Sequence, residues 1–250
     1  MARTVEELKL GFARVEAAQA CRNLMGKYSY FHTAMRNKDY VKLWAERSDD
    51  LLVMPWGYYR GIEGVRACYL QDHGDRNDPE IQNSPILKGG MMMHCMDTEV
   101  LEVAADGRTA RGCWMSPGHE SCFIPDFEKI PGWKKGDPVP PDAPMVSSCE
   151  WAWSKYQVDF ICEDGVWKFW KMRLWPIYKT DFYVPWTEHP EMDEVDFPFR
   201  NHTPLPKPNW AWDPEVFYPA DEPEPPLPYA AYGAAEDARW ADYQERGKTR

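Results

Sequence analysis

The sequence predicts an α+β protein in which a curved antiparallel sheet folds around a long N-terminal helix and forms a cone with an open end. Apolar residues recur with helical spacing near the N-terminus. Further along, Met91–Ser116 and Glu150–Trp175 alternate in polarity and are rich in β-branched and aromatic residues. Each segment is interrupted by an Asp-Gly pair, at Asp106–Gly107 and Asp164–Gly165, which between alternating runs is a strong hairpin signal.

The first element is a helix predicted over Val5–Arg47, because its apolar residues fall at i, i+3, i+4 and i+7. That apolar face consists of Cys21, Leu24, Met25, Tyr28, Phe31 and Met35. The pattern breaks at Arg36–Asp39, where the side chain of Asn37 or Asp39 can cap a following turn. Next come a short strand over Leu51–Trp56, a turn at Gly57–Gly61 and a second short helix over Ile62–Gln71.

The composition predicts one domain with an appendage. Residues 1–180 contain the helices and hairpins, and 117–144 is a Pro- and Gly-rich insertion with aromatic residues, which favours a lid-like segment. Residues 181–250 are predicted to form an extended arm that packs on this domain or on a neighbouring subunit. Asn201–Tyr229 contains nine prolines and several large aromatics, and Ala230–Arg250 is predicted to hold a short terminal helix.

Charge and cysteine content exclude several classes of function. The formal charge of −11 argues against a nucleic-acid partner, whose phosphates would repel the chain. We see no leader peptide and no apolar run that could span a bilayer, so we expect a cytoplasmic protein without a membrane partner. The seven cysteines are scattered without a C-x-x-C pair, so we expect buried thiols. No carboxylates are spaced around the histidines as metal ligands.

The candidate catalytic residues follow from strand and helix periodicity. His94 and Tyr156 share strand faces with apolar residues and are predicted to point into the cone. His119 follows a predicted strand near the mouth, and His32 lies four residues after Tyr28 on the helix face that meets the sheet. A satisfied core histidine is the alternative for any one of them. Two inward imidazoles would suit general acid–base catalysis near pH 7.

Cations and further aromatic residues complete the predicted site. Lys171 and Arg173 alternate with apolar residues on the last strand, and a cation that points inward could stabilise a phenolate or enolate. The alternative is a pair of surface cations that cover apolar surface with their stems. Tyr59 and Arg60 lie at the predicted rim, where the guanidinium fork could bind a hydroxyl or phenolate oxygen. The predicted aromatic lining comprises Tyr28, Trp56, Tyr58, Trp114 and Tyr156.

Over roughly Val15–Trp175 the sequence resembles the scytalone dehydratase/SnoaL-like branch of the nuclear transport factor 2-like (NTF2-like) superfamily. His94 and His119 stand where that branch has its strand histidines, and Asp164–Phe169 resembles the turn of its last hairpin. Asn37–Tyr40 resembles the helix-breaking segment before its first strand. Met35 and Arg36 replace the family's helix Tyr-Asp pair, which is a departure from its pattern.

The resemblance implies an NTF2-like cone, no cofactor, and His94 and His119 as the acid–base pair. It also implies that Tyr156 replaces an asparagine that orients the substrate. Trp56 then replaces a tyrosine that contacts the catalytic water, a role open also to Tyr58 or Tyr59. Members of this branch form trimers through the sheet, so a homo-oligomer, with a trimer favoured, is expected.

The function predicted from the residues and the resemblance is a cofactor-independent lyase for a bulky phenolic substrate. The plan of one cone, many tryptophans, a lid and a tail is similar to that of lyases that remove formaldehyde from lignin-derived diarylpropane diols and yield stilbenes. One alternative is a dehydratase like scytalone dehydratase, or a polyketide cyclase or ketosteroid-isomerase-like isomerase. The isomerase would need an inward carboxylate base, and none is evident in the predicted strands. Another is a ligand-binding or assembly module without chemistry.

Overall fold

The computed structural model describes residues 3–83, 89–134, 137–188, 203–204 and 222–241. Its helices are α1 (Val5–Thr33), α2 (Asn37–Tyr40), α3 (Gly61–Arg66), α4 (Pro79–Gln82) and α5 (Ala234–Ala238), with a π turn at Ala67–Asp72. Its strands are β1 (Leu51–Met54), β2 (Gly57–Arg60), β3 (Met91–His94), β4 (Asp97–Val103), β5 (Thr109–Ser116), β6 (Gly118–Pro125), β7 (Met145–Glu163), β8 (Val166–Asp181) and β9 (Thr203–Pro204). These elements confirm the predicted α+β class.

The strands form one curved, open sheet in the order β3-β6-β7-β8-β1-β2-β9, with β5 also paired to β7 and β4 to β5. The prediction of an antiparallel sheet is wrong at one place, because β1 runs parallel to β8. These two strands are far apart in sequence, so no hairpin connection fixes their relative direction. The sheet is therefore mixed.

Both Asp-Gly turns connect hairpins as predicted. Asp164 and Gly165 have φ of 50° and 78° and join β7 to β8, as a tight primed turn requires. Gly107, with φ of 71°, lies in the turn between β4 and β5. The strand predicted to start at Met91 is split into β3 and β4, because β3 pairs with β6 whereas β4 pairs with β5. Within β4, the backbone at Thr98 has φ of 47°, where the register with β5 shifts.

The first helix is shorter than the periodicity predicts. It begins with a capping box between Thr4 and Glu7 and ends at Thr33, not at Arg47. Met35 has φ of 49°, a left-handed conformation that a helix does not continue through. The buried face of the helix consists of Ala17, Cys21, Leu24, Met25, Tyr28 and His32, and it packs against the sheet.

Two segments predicted as irregular are strands. Gly57–Arg60, predicted as a turn, is β2 and pairs with β1. Gly118–Pro125, within the predicted lid at 117–144, is β6 and pairs with the first half of β7. Only 126–144 connects these two strands, and within it Phe127 stacks on Trp133 with ring centroids 4.2 Å apart.

The sheet has an inner face toward α1 and an outer face covered by residues 222–241. On the outer face Asp159, which is fully buried, accepts hydrogen bonds from Arg239 Nη2 (2.6 Å) and Trp240 Nε1 (2.7 Å). Lys171 Nζ binds Asp237 Oδ1 at 2.5 Å and Tyr232 Oη at 3.0 Å. We call these six residues the C-terminal clamp.

The division at residue 180 stays a prediction. Most of the predicted arm over Asn201–Tyr229, and 242–250 of the predicted terminal helix, lie outside the described residues. Among the described helices, none is both long and apolar enough to cross a membrane.

Candidate active site

A cavity of about 190 Å³ lies between α1 and the inner face of the sheet. Its lining is apolar over most of its area and polar at one end. The polar and aromatic lining residues are Tyr28, His32, Trp56, His73, His94, Glu120, Ser154, Tyr156, Tyr178 and Lys179. The rest of the lining is Met54, Pro55, Met92, Ala152, Leu174 and Pro176. This arrangement is typical of a small-molecule site.

His94 ends β3 and points inward, as its strand parity predicts, with 7% of its surface exposed. Its cross-strand partner is Gly118. A Cβ at position 118 would lie 2.4 Å from the Ala152 carbonyl oxygen and 2.7 Å from His94 Nδ1, so only glycine fits there. Gly118 therefore makes the space that the imidazole occupies.

Four side chains at the polar end form what we call the charge cluster: His94, Glu120, Lys179 and Glu150. His94 Nε2 lies 3.3 Å from Glu120 Oε1. Lys179 Nζ lies 2.7 Å from Glu120 Oε2 and 3.0 Å from Glu150 Oε2. Both carboxylate oxygens of Glu120 therefore have a partner, and a proton can pass between this carboxylate and the imidazole.

The cluster sets the ionisation of its members. Burial by itself would raise the pKa of Glu120, but the hydrogen bond from His94 and the charge of Lys179 hold that pKa well below its usual range. Burial likewise opposes the charge of Lys179, yet Glu120 and Glu150 together raise its pKa. The cavity thus contains an ionised carboxylate and an ammonium group.

Two further histidines adjoin His94. The His32 ring stacks on His94 with centroids 5.7 Å apart, and His73 lies 6.0 Å from His32. Burial lowers the pKa of His32, and the neighbouring imidazoles lower it further. Burial also lowers the pKa of His73, whose Nδ1 lies 2.8 Å from the Cys68 carbonyl oxygen. Both rings are therefore neutral at pH 7.

A tyrosine pair lines the same cavity. The hydroxyl oxygens of Tyr28 and Tyr156 are 2.8 Å apart and share one hydrogen bond. Burial raises the pKa of both phenols, so both keep their protons at physiological pH. Such a pair can donate a hydrogen bond to a substrate oxygen.

The cavity contains five of the predicted site residues, namely Tyr28, His32, Trp56, His94 and Tyr156. His119 does not line it. Because neighbouring residues of β6 alternate, Glu120 takes the inward position and His119 packs on Trp151 of the other face, with centroids 4.6 Å apart. The structure therefore pairs His94 with a carboxylate and not with a second strand histidine.

The predicted rim residues also lie elsewhere. The hydroxyl of Tyr59 accepts from Trp56 Nε1 at 2.9 Å and donates to Asp72 at 2.8 Å, behind the cavity wall. Arg60 is exposed, with its guanidinium 5.1 Å from the ring of Tyr58. Tyr58 itself is buried in a separate cluster on the outer side, because β2 alternates.

The two predicted cations of β8 point to the outer face. Lys171 belongs to the C-terminal clamp, and Arg173 lies on the Trp175 ring, 3.3 Å from its centroid. Their parity is opposite to that of Met172, which packs in the core. Trp114 points inward but is buried in the core beside Phe160, 6.1 Å away, and does not line the cavity.

Periodicity missed three lining residues that carry a charge or an imidazole. Glu120 lies in β6, which the sequence predicts as part of the lid, and it supplies an inward carboxylate that strand periodicity did not predict. Lys179 lies beyond Trp175, where the predicted strand ends, and His73 follows the π turn, just past the short helix predicted over Ile62–Gln71. The signal that could reveal Glu120 is the alternation that continues past Pro117. In the described part of the chain, no group of three or more His, Cys, Asp or Glu side chains is placed to hold a metal ion.

Comparison with known proteins gives one family match. The model of the SnoaL-like domain family matches residues 13–173, more than half of the 250-residue chain, from α1 into β8. No curated protein matches the sequence.

Solved structures with a similar fold include a protein assigned as a scytalone dehydratase from Novosphingobium aromaticivorans. It is 13% identical in sequence, the match covers 70% of this chain and 93% of that one, and the TM-score is 0.46. The hexachlorocyclohexane dehydrochlorinase LinA-type3 of Novosphingobium barchaimii is 17% identical and covers 70% and 99%, with a TM-score of 0.46. An NTF2-like protein with a cystatin-like fold from Novosphingobium aromaticivorans is 13% identical and covers 75% and 96%, with a TM-score of 0.44.

Proposed function

We propose, from the premise that the chain belongs to the SnoaL-like domain family, that it is a cofactor-independent lyase for a phenolic substrate. The observation that carries the proposal is the charge cluster at one end of an apolar cavity. An ionised carboxylate bonded to an imidazole can take and return protons, and the apolar walls exclude the water that would compete for them.

The residues divide into three roles. The Glu120–His94 pair is the base that removes a proton from the substrate, and the electrons released form the new double bond as the leaving group departs. The Tyr28–Tyr156 pair donates a hydrogen bond to the departing oxygen. Trp56 supplies a flat wall against which an aromatic ring can stack.

The size of the cavity limits the substrate. An engineered apolar cavity of about 150 Å³ is known to hold one benzene molecule. The present cavity of about 190 Å³ therefore accommodates one substituted ring. A two-ring substrate would place the second ring outside it.

The specific reaction that we propose to test first is loss of formaldehyde from a diarylpropane diol. The acid protonates the benzylic hydroxyl, the C–O bond breaks with loss of water, and the phenol of the same ring gives up its proton, which yields a quinone methide. The base then takes the proton of the terminal hydroxyl, the C–C bond breaks and formaldehyde departs. The electrons of that bond reduce the quinone methide to a phenolate, which takes up a proton to give the phenol of a stilbene. The products are water, formaldehyde and the stilbene, and no electrons are gained or lost overall.

The inward carboxylate Glu120 supports a second candidate, a proton-shuttling isomerase of the ketosteroid-isomerase kind. In that reaction the base moves a proton between two carbons next to a carbonyl, while the Tyr28–Tyr156 pair donates to the enolate oxygen. Product analysis separates the possibilities. Isomerisation conserves mass, dehydration loses only water, and the lyase releases formaldehyde.

The test is turnover of phenolic diols by the purified full chain without added cofactor. His94→Gln and Glu120→Gln should each lower kcat/KM by about 10²-fold or more, because each removes one half of the proton-transfer pair. His119→Gln, a matched control outside the cavity, should retain activity. Full activity in His94→Gln would overturn the proposal, and ligand binding without turnover in the unaltered protein would identify a binding module instead.

We further propose that the protein is cytoplasmic and that it is a homotrimer, the oligomeric state that the family resemblance implies. Sedimentation equilibrium of the full chain should then give three times its 29.2 kDa mass. A monomer at micromolar concentration would overturn the oligomeric part of this proposal and leave the chemistry unaffected.

A further inference from the structure

The two carboxylates of the charge cluster oppose each other. Glu120 and Glu150 are direct cross-strand partners in the β6–β7 ladder. Like charges at such positions destabilise a strand pair, and Glu120 is only 30% exposed at its side chain. Two neighbouring carboxylates in a poorly solvated site tend to share one proton, so that one of them is no longer a base.

Lys179 lies between them. Its Nζ is 2.7 Å from Glu120 and 3.0 Å from Glu150, and its side chain is 22% exposed, so little water screens these contacts. The proton transfers of the proposed function do not use Lys179 or Glu150. Strand β8 continues to Asp181, and this length brings the lysine to its position at the cavity.

We propose that Lys179 is a positioning residue that keeps Glu120 ionised against Glu150 and aimed at His94. This inference rests on the proposed function, in which Glu120 begins the reaction as a carboxylate. The geometry supports it, since the lysine and the imidazole each hold a different oxygen of Glu120.

Charged and titratable groups face Glu120 from every element packed against it. They are His94 from β3, His32 from α1, His73 after the π turn, Glu150 and Tyr156 from β7, and Lys179 from β8. Both His32 and His73 are neutral at pH 7, and Tyr156 keeps its proton. Lys179 is therefore the permanent positive charge in this set.

The test is a carboxyl-selective ¹³C NMR titration of Glu120 in the full chain. In the unaltered protein Glu120 should stay ionised through the range near pH 4.5 where a free glutamate titrates. Lys179→Met should raise the midpoint by about one to three pH units, and Lys179→Arg should restore it. Lys168→Met, which alters a lysine of the same strand paired with Glu163, should leave it unchanged.

The opposition of the carboxylates is tested by repeating Lys179→Met together with Glu150→Gln. The rise in midpoint should then be smaller, because no second carboxylate competes for the proton. An unchanged midpoint in Lys179→Met, or an equal rise in both backgrounds, would overturn the inference. This readout does not depend on turnover, so a failure to convert phenolic substrates would count against the proposed function alone.

If turnover is found, kcat should be measured against pH in Lys179→Met. The acidic limb of that pH profile should shift together with the NMR midpoint of Glu120, while KM changes little. A loss of kcat with the limb unmoved would show that Lys179 acts on the substrate itself, and would overturn its assignment as a positioning residue.

Discussion

Replacing Asp159 by alanine removes the acceptor that holds residues 222–241 on the outer face of the sheet. In the folded protein this carboxylate accepts from Arg239 and Trp240 and, at 3.2 Å, from the hydroxyl of Tyr232. Trp240 is fully buried, so its indole N–H would find no water after the change. Arg239 is 25% exposed and could be rehydrated.

These contacts determine how much free energy of unfolding the Asp159→Ala variant should lose. Breaking a buried ion pair costs about 3–5 kcal/mol, and the exposure of Arg239 places the expected loss at the lower end, about 3 kcal/mol. For a chain of this size that corresponds to a fall in Tm of roughly 6–12 °C. Urea unfolding followed by tryptophan fluorescence measures the loss directly.

Two variants serve as controls. Trp240→Phe removes the indole N–H and also shrinks a fully buried side chain, so it should cost about 2 kcal/mol, less than Asp159→Ala. Asp142→Asn changes an exposed carboxyl in the β6–β7 connection and should leave the unfolding midpoint unchanged. If Asp159→Ala unfolds at the same urea concentration as the unaltered chain, the carboxylate does not hold the segment and the reasoning fails.

Three further predictions concern the cavity. Gly118→Ala should abolish turnover and lower Tm, because the new Cβ would lie 2.4 Å from the Ala152 carbonyl oxygen; unchanged melting and activity would contradict this. Tyr156→Phe should cost about 1 kcal/mol in urea unfolding by removing the hydrogen bond to Tyr28, and a cost below measurement error would count against that bond. The lowered pKa of His32 means that below its ordinary value of 6.5 the unfolded chain binds a proton that the folded chain does not. Stability should therefore fall as pH drops below 6.5, and His32→Gln should flatten this slope in unfolding series at pH 5 to 8.

The fold follows from local signals where these are strong. Alternation and the Asp-Gly turns predict β7 and β8, and helical spacing places Tyr28 and His32 on the inner face of α1. The parallel pairing of β1 with β8 has no local signal, because it depends on how distant segments meet. Proline and glycine residues around β6 hid this strand in the sequence. Its partner is the first half of β7, which begins at Met145, far from the hairpin turn that marks the other end of β7.

The site residues could be predicted only where the sequence shows which side chains of a strand point inward. Alternation on clearly marked strands predicted that His94 and Tyr156 point inward, and both do. His119 is the neighbour of the inward Glu120 on β6 and therefore points to the other face. Lys171 was a candidate for an inward cation but belongs to the clamp, because the sequence does not reveal that residues 222–241 cover the outer face. Charge alone therefore cannot tell a catalytic lysine from one that secures the chain.

The two faces of strand β7 have different functions. Ala152, Ser154 and Tyr156 form a wall of the cavity, while Lys155 and Asp159 on the reverse side hold the C-terminal segment. A single residue inserted or deleted between Tyr156 and Asp159 would reverse one of these stretches relative to the other, so the cavity wall and the clamp acceptor could no longer lie on opposite faces. Homologous chains that keep both features should thus vary in side chains along this stretch but never in its length.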